Sequence, residues 1–266
     1  MNKKYLLCFY ICFDSTIPDW IKNFLKISED IKNKLNIIYT RYGCSYLDSK
    51  ADHKDYKFSE SSYEKIINQN KSNKLNGINF YFLESENTPY YNPNFCIDIW
   101  GKDRNPFWKM YIQLDLELFL TIYKDEWHQI IHDYFLLFSN IGAITYGIIE
   151  LIPKKKIPGF QFRGWPNSKS NKFEIDIIRK WDNVGLNYKH FIKDIYSVNY
   201  LSHGHYKKIE KNIENIKNII GPNNIFSFLE GHFLVLPFEP KEIIKNKKKI
   251  KIIKNQLRPY IEDILL

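Results

Sequence analysis

Cysteine is scarce in this chain of 266 residues, which has only Cys8, Cys12, Cys44 and Cys96. They form no CxxC pair and no metal-finger spacing, so zinc-ribbon and thioredoxin-like readings fall away. Scattered thiols of this kind suit a reducing compartment, where cysteine behaves as a small apolar residue. Long apolar runs are also missing. No segment approaches the ~20 apolar residues of a membrane-spanning helix. There is no GxSxG nucleophile elbow and no glycine-rich phosphate loop. Acid is missing locally: residues 153–172 contain Lys154, Lys155, Lys156, Arg163, Lys169 and Lys172, and no Asp or Glu.

Aromatic residues are plentiful, at 17% with 19 Tyr and 19 Phe. Such side chains carry much burial area each, so a packed protein is expected. Apolar and charged shares of 44% and 26% are those of an ordinary globular protein. The net charge of +9 comes from residues 153–172 and from residues 241–258, where only Glu242 opposes a run of lysines ending at Arg258. Basic segments attract nucleic acid or anionic surfaces, or are simply a solvated loop and a solvated helix face. At the start, Asn2-Lys3-Lys4 followed by Tyr5 to Phe13 imitates a short signal peptide. No small-residue cleavage site follows, and a buried first strand explains the run better. A cytoplasmic location is therefore expected.

The periodicities predict an α+β protein. A strand is expected over 4–13. A helix capped by Ser15 or Thr16 should follow, with Trp20, Phe24, Ile27, Ile31 and Leu35 on one face. Residues 41–77 read as polar loops around a helix near 59–69. Strands are expected at 78–84, 95–100 and 108–118. The last places Met110, Ile112, Leu114, Leu116 and Leu118 on one face and Lys109, Tyr111, Gln113, Asp115 and Glu117 on a wet one. A strand with one wet face belongs to an antiparallel sheet. A helix over 121–139 and a strand over 141–152 come next. The Pro-, Gly- and Lys-rich stretch 153–172 divides the chain into halves 1–152 and 153–266, or is a long surface loop of a single domain 1–266. Short helical pieces are expected at 175–181 and 188–191, then a strand at 194–200. Ser202 should cap a helix carrying Tyr206, Ile209, Ile213, Ile216 and Ile220, which Gly221-Pro222 ends. Strands 225–229 and 232–236 would turn at Glu230-Gly231. A final basic helix spans 241–264, broken or kinked by Pro259. The expected architecture is a set of mixed, largely antiparallel sheets with packed amphipathic helices, two halves in one compact unit.

Several chemical motifs are incomplete. His128 and His132 sit at i and i+4, but Gln129 replaces the glutamate of an HExxH metalloprotease helix. Ordinary partly buried histidines are expected there. His203-Gly204-His205 lies at a helix start, which can bind anions, but reads as a turn. Asp98, Asp115 and Glu117 could form a carboxylate cluster on the sheet, as could any solvated strand face. Phe160, Phe162, Arg163 and Trp165 mix aromatics with arginine in a loop. That is the composition of an interaction hot spot and is compatible with stacking on single-stranded nucleic acid. These four are the predicted partner-binding residues. No catalytic, cofactor-binding or metal-binding residue is predicted, and no cofactor.

The segment Lys193 to Ile209 reads as a strand carrying Tyr196, Val198, Asn199 and Tyr200, which runs into Leu201-Ser202 and opens a helix. Upstream lie a small-residue strand, IGAITYGII from Ile141 to Ile149, and the element IPGF from Ile157 to Phe160. Together they resemble the type VI secretion immunity proteins found beside polymorphic-toxin effectors. The family's Gly-Gly pair after the helix is represented by Gly221 alone. The resemblance covers Ile141 to Leu236. It implies a non-enzymatic cytoplasmic protein whose partner is a cognate toxin effector. Two competing readings are nucleic-acid binding through residues 153–172 and 241–258, and a hydrolase using Asp115 and Glu117.

Overall fold

A computed structural model gives the fold and describes residues 4–16, 19–46, 54–70, 75–83, 93–102, 105–123, 127–156 and 190–265. These divide into two compact units, 4–143 with 152–156, and 144–151 with 190–265. Both are α+β, with antiparallel pairing throughout the strand ladders described below. No helix among the described residues is long and apolar enough to cross a membrane.

The first unit begins with β1 (Tyr5–Thr16) and α1 (Trp20–Lys34). Then come β2 (Arg41–Tyr46), β3 (Lys54–Lys57), α2 (Ser62–Gln69), β4 (Leu75–Phe82), β5 (Phe95–Lys102) and β6 (Asn105–Asp115). Helices α3 (Leu116–Ile122) and α4 (Trp127–Ser139) precede β7 (Gly142–Pro153). The unit's sheet is ordered β3-β2-β4-β5-β6-β1. Phe80, Ile97, Ile112 and Phe9 pair in succession across β4, β5, β6 and β1, so they share one face. Phe24 of α1 stacks near Phe80, and Tyr134 and Phe138 of α4 pack on Phe9. Both helices therefore cover this face. The Asn23 side chain ties them, donating to the Asn140 carbonyl at 2.7 Å.

The structure corrects several local expectations here. The strand over 108–118 stops at Asp115, and Leu116 and Leu118 belong to α3. Its supposedly wet face is buried: Lys109, Tyr111 and Gln113 are at most 6% exposed. The polar atoms pair internally instead. The Tyr111 hydroxyl donates to the Gln113 amide oxygen at 2.8 Å, and the Gln113 amide nitrogen donates to the Pro93 carbonyl. Alternation of residue type marks a wet face only where water reaches it. Ser15 and Thr16 do not cap α1, because both extend β1 and Asp19 holds the cap position. β2 and β3 occupy stretches read as loop. The charged sequence KDYK of β3 suits the sheet edge that it occupies, where charge discourages pairing with a second chain, while β2 is paired on both sides and buries Tyr42 and Cys44.

The second unit contains the middle of β7, then β8 (Val198–Ser202), α5 (His203–Ile209) and, after a 3-10 turn, α6 (Ile213–Ile220). The hairpin of β9 (Ile225–Phe228) and β10 (Gly231–Val235) follows, then α7 (Pro240–Lys245) and α8 (Lys247–Ile261). Its strands are ordered β7-β8-β10-β9. Ile209, Ile216 and Ile220 of the predicted stripe are buried. The hairpin turns at Leu229-Glu230, not Glu230-Gly231, with Leu229 at φ 50°. Gly231 is a strand residue paired with Ser202, and a Cβ there would lie 2.5 Å from the Leu201 carbonyl oxygen. The glycine serves close approach between strands, not the turn. Pro259 does not break α8, which runs on to Ile261. It sits on the exposed face, where the carbonyl it leaves without a donor meets water. The predicted helical pieces at 175–181 and, for the most part, 188–191 lie outside the described residues.

Candidate functional site

Phe160, Phe162, Arg163 and Trp165, the predicted partner-binding residues, lie outside the described residues, as does the basic segment beyond Lys156. The described residues bring together two other features: a cavity in the first unit and a charge-paired basic helix in the second.

The cavity forms where α1 ends and α3 begins. Helix α1 closes with Asn36 at φ 49°, the left-handed conformation that asparagine tolerates. The Ile37 N–H bonds to the Lys32 carbonyl and the Asn36 N–H to the Asn33 carbonyl, a Schellman stop. That stop buries Leu35 and Ile37 and turns Ile38 outward, 76% exposed. Leu35 to Ile38, Phe82, Asn94, Phe95, Asp115 and Leu118 then line an open pocket of about 330 Å³. The lining is mainly apolar, with one carboxylate and two amides.

Asp115 is the residue that the hydrolase reading needs. Its Oδ1 accepts from the Glu117 and Leu118 N–H groups at 3.0 and 3.3 Å, which caps α3. Its Oδ2 lies 3.5 Å from the Lys4 ammonium. The Asn94 side-chain oxygen accepts from the Lys154 ammonium. Both polar groups are thus engaged in holding the walls. Glu117 is exposed in the first turn of α3 and does not line the cavity. Asp98 on β5 pairs with Tyr111, four residues from Asp115 along β6. At ~3.3 Å per residue that is ~13 Å, so the three carboxylates form no cluster. The sequence signal for Asp115 was present but favoured the wrong element. An aspartate two residues before a glutamate, at the start of an apolar run, also reads as a helix cap.

In the second unit, the Glu150 carboxylate accepts from the Lys254 ammonium at 3.1 Å and from the Ser197 hydroxyl at 2.6 Å. Arg258 donates to Asp194 at 2.6 Å. Two cations of the 241–258 segment are therefore spent on holding α8. Lys248, Lys249 and Lys251 remain exposed.

The histidines take ordinary places. His128 and His132 are on the exposed side of α4, and burial lowers the His128 pKa. His203-Gly204-His205 is not a separate turn but the first turn of α5. His205 is fully buried. Its Nδ1 accepts from the Ser202 N–H at 3.2 Å and lies 2.9 Å from the Ser202 hydroxyl. Nε2 therefore carries the proton, facing the Phe191 carbonyl at 3.2 Å. The pair caps a helix with a ring that solvent does not reach. Cys44 is buried, and desolvation pushes its thiol up to about 12, so it stays protonated at neutral pH. No group of three or more His, Cys, Asp or Glu among the described residues is placed to hold a metal ion.

No family model matches the chain, and no curated protein matches it. Its fold is similar to that of a solved structure, the Pseudomonas aeruginosa T6SS protein PA0821. The TM-score is 0.58 at 8% identity, over 98% of this chain and 73% of that one. At that identity the two share an arrangement of helices and strands, and the arrangement extends over nearly all of this chain.

Proposed function

We propose that this chain is a non-catalytic immunity protein, cytoplasmic in the producing cell, that binds and neutralises a cognate toxin of a type VI secretion system. The observation that carries the reading is the fold shared with a T6SS protein over 98% of the chain. The roles of the polar groups agree with it. Asp115 caps a helix, Glu150 anchors one, and Ser202 and His205 join a strand to one. The segment Lys193 to Ile209 then serves as scaffold, and contact with a partner falls to exposed side chains elsewhere.

The test is co-expression with the product of the adjacent gene. The expected result is a neighbour toxic alone, growth restored by this chain, and a stable complex of the two. A harmless neighbour that forms no complex would end the proposal.

Nucleic-acid binding is the second reading, favoured by the exposed Lys248, Lys249 and Lys251. It calls for affinity that falls steeply with salt.

A further inference from the structure

The outward face of α8 has an apolar centre and a basic surround. Ile252 is 56% exposed. At helical spacing, Lys248 and Lys249 lie one turn before it, Asn255 and Gln256 one turn after, and Lys251 on its flank. All five are exposed. The buried side of the same helix is Ile250, Leu257 and Ile261, so Ile252 points away from the core.

This charge is uncompensated within the helix. Lys248 and Lys251 stand at i and i+3, where like charges repel. The first turn of α8 contains no acid, and cations there oppose the helix dipole. None of Lys248, Lys249 and Lys251 has an ion-pair partner among the described residues, whereas the largely covered Lys254 and the half-exposed Arg258 on the flank are paired with Glu150 and Asp194. An anionic surface laid on this face relieves both repulsions. Burying Ile252 removes an exposed aliphatic side chain from water.

We infer that this face of α8 docks an acidic protein surface, with Ile252 as the apolar contact and Lys248, Lys249 and Lys251 as the charged rim. The inference rests on the toxin-neutralising reading and names the part of the chain that meets the effector. An apolar centre ringed by charge is the anatomy of a protein interface. A surface that binds single-stranded nucleic acid would instead offer aromatic or arginine planes to stack on bases. On this face Arg258 is held by Asp194, and no aromatic residue is exposed.

The experiment uses the full chain and the purified product of the adjacent gene. One variant carries Lys248→Glu, Lys249→Glu and Lys251→Glu, and the other Ile252→Ala. Lys248 and Lys249 lie in the first turn, where glutamate suits the helix dipole, and Lys251 is exposed on the next turn, so the triple variant keeps its thermal unfolding midpoint. It should lose at least ~30-fold in affinity, mainly through slower association, and wild-type affinity should fall with salt. Ile252→Ala should cost ~10-fold, mainly through faster dissociation. If the complex forms and both variants bind as wild type, the docking face is wrong while the immunity reading stands. If wild type forms no complex, the immunity reading fails and this inference with it. If the triple variant keeps the effector but loses binding to an oligonucleotide of about 20 bases, the face belongs to nucleic acid and the inference is overturned.

Discussion

Glu150 of β7 and Lys254 of α8 meet at 3.1 Å with 16% and 24% of their side chains exposed. The same carboxylate also accepts from the Ser197 hydroxyl and N–H. The Lys254 ammonium lies 5.7 Å from the centre of the Tyr196 ring. One carboxylate thus orients the terminal helix against the sheet of its unit.

Replacing Glu150 with Ala leaves a largely covered ammonium and three other donors, the Ser197 hydroxyl and N–H and the Leu151 N–H, without their acceptor. The expected loss is about 2–3 kcal/mol, below that of a fully buried pair because both groups touch water. Lys254→Met keeps the packing and removes the charge that Glu150 faces, so about 1 kcal/mol is expected. Urea unfolding of the two variants measures the difference. Equal losses would mean that the Ser197 bonds contribute little.

Gly231→Ala places a methyl group 2.5 Å from the Leu201 carbonyl oxygen and 2.6 Å from the Tyr200 ring. A backbone oxygen cannot swing aside as a flexible side chain can, so β8 and β10 must separate. A loss of about 2–3 kcal/mol is expected, at the upper end for overpacking. Thermal unfolding checks it, and an unchanged midpoint would refute the close approach.

Asp115→Ala removes the cap of α3 and the partner of Lys4, which costs about 1 kcal/mol. Asp115→Asn keeps a capping oxygen and costs less than half of that. Both variants should still rescue growth in the co-expression assay. Abolished rescue in a stably folded Asp115→Asn variant would point to chemistry at this carboxylate.

The pH dependence follows from His232. Burial lowers its pKa below 6.5, helped by the nearby His203. Its ring stacks on Tyr206 at 3.5 Å. The unfolded chain therefore takes up the proton first as pH falls. Stability is whole above pH 6.5, declines from there down to the folded-state pKa, and then levels. The unfolding midpoint should drop over that window, and His232→Gln should flatten the drop. His128, also lowered by burial, accounts for a remaining slope.

Element positions were largely legible in the sequence. Trp20, Phe24, Ile27 and Ile31 announce α1, and Ile209, Ile216 and Ile220 announce the helical run after β8, because their spacing puts apolar mass on one side. The cavity was not legible. It depends on Asn36 taking a left-handed conformation and on Asp115 ending a strand, and it is lined by residues from Leu35 to Leu118. No local pattern states that such distant segments meet.

By itself the sequence determined the α+β class, the helical stripes and the basic character of α8, since these rest on residue type and spacing along one segment. Only the tertiary structure decided that Lys109, Tyr111 and Gln113 are buried, and that Lys254 and Arg258 find carboxylate partners while Lys248, Lys249 and Lys251 have none among the described residues. The reason is physical. A polar residue can lie in a core if partners from other strands and helices satisfy it, and those partners are brought near only by folding.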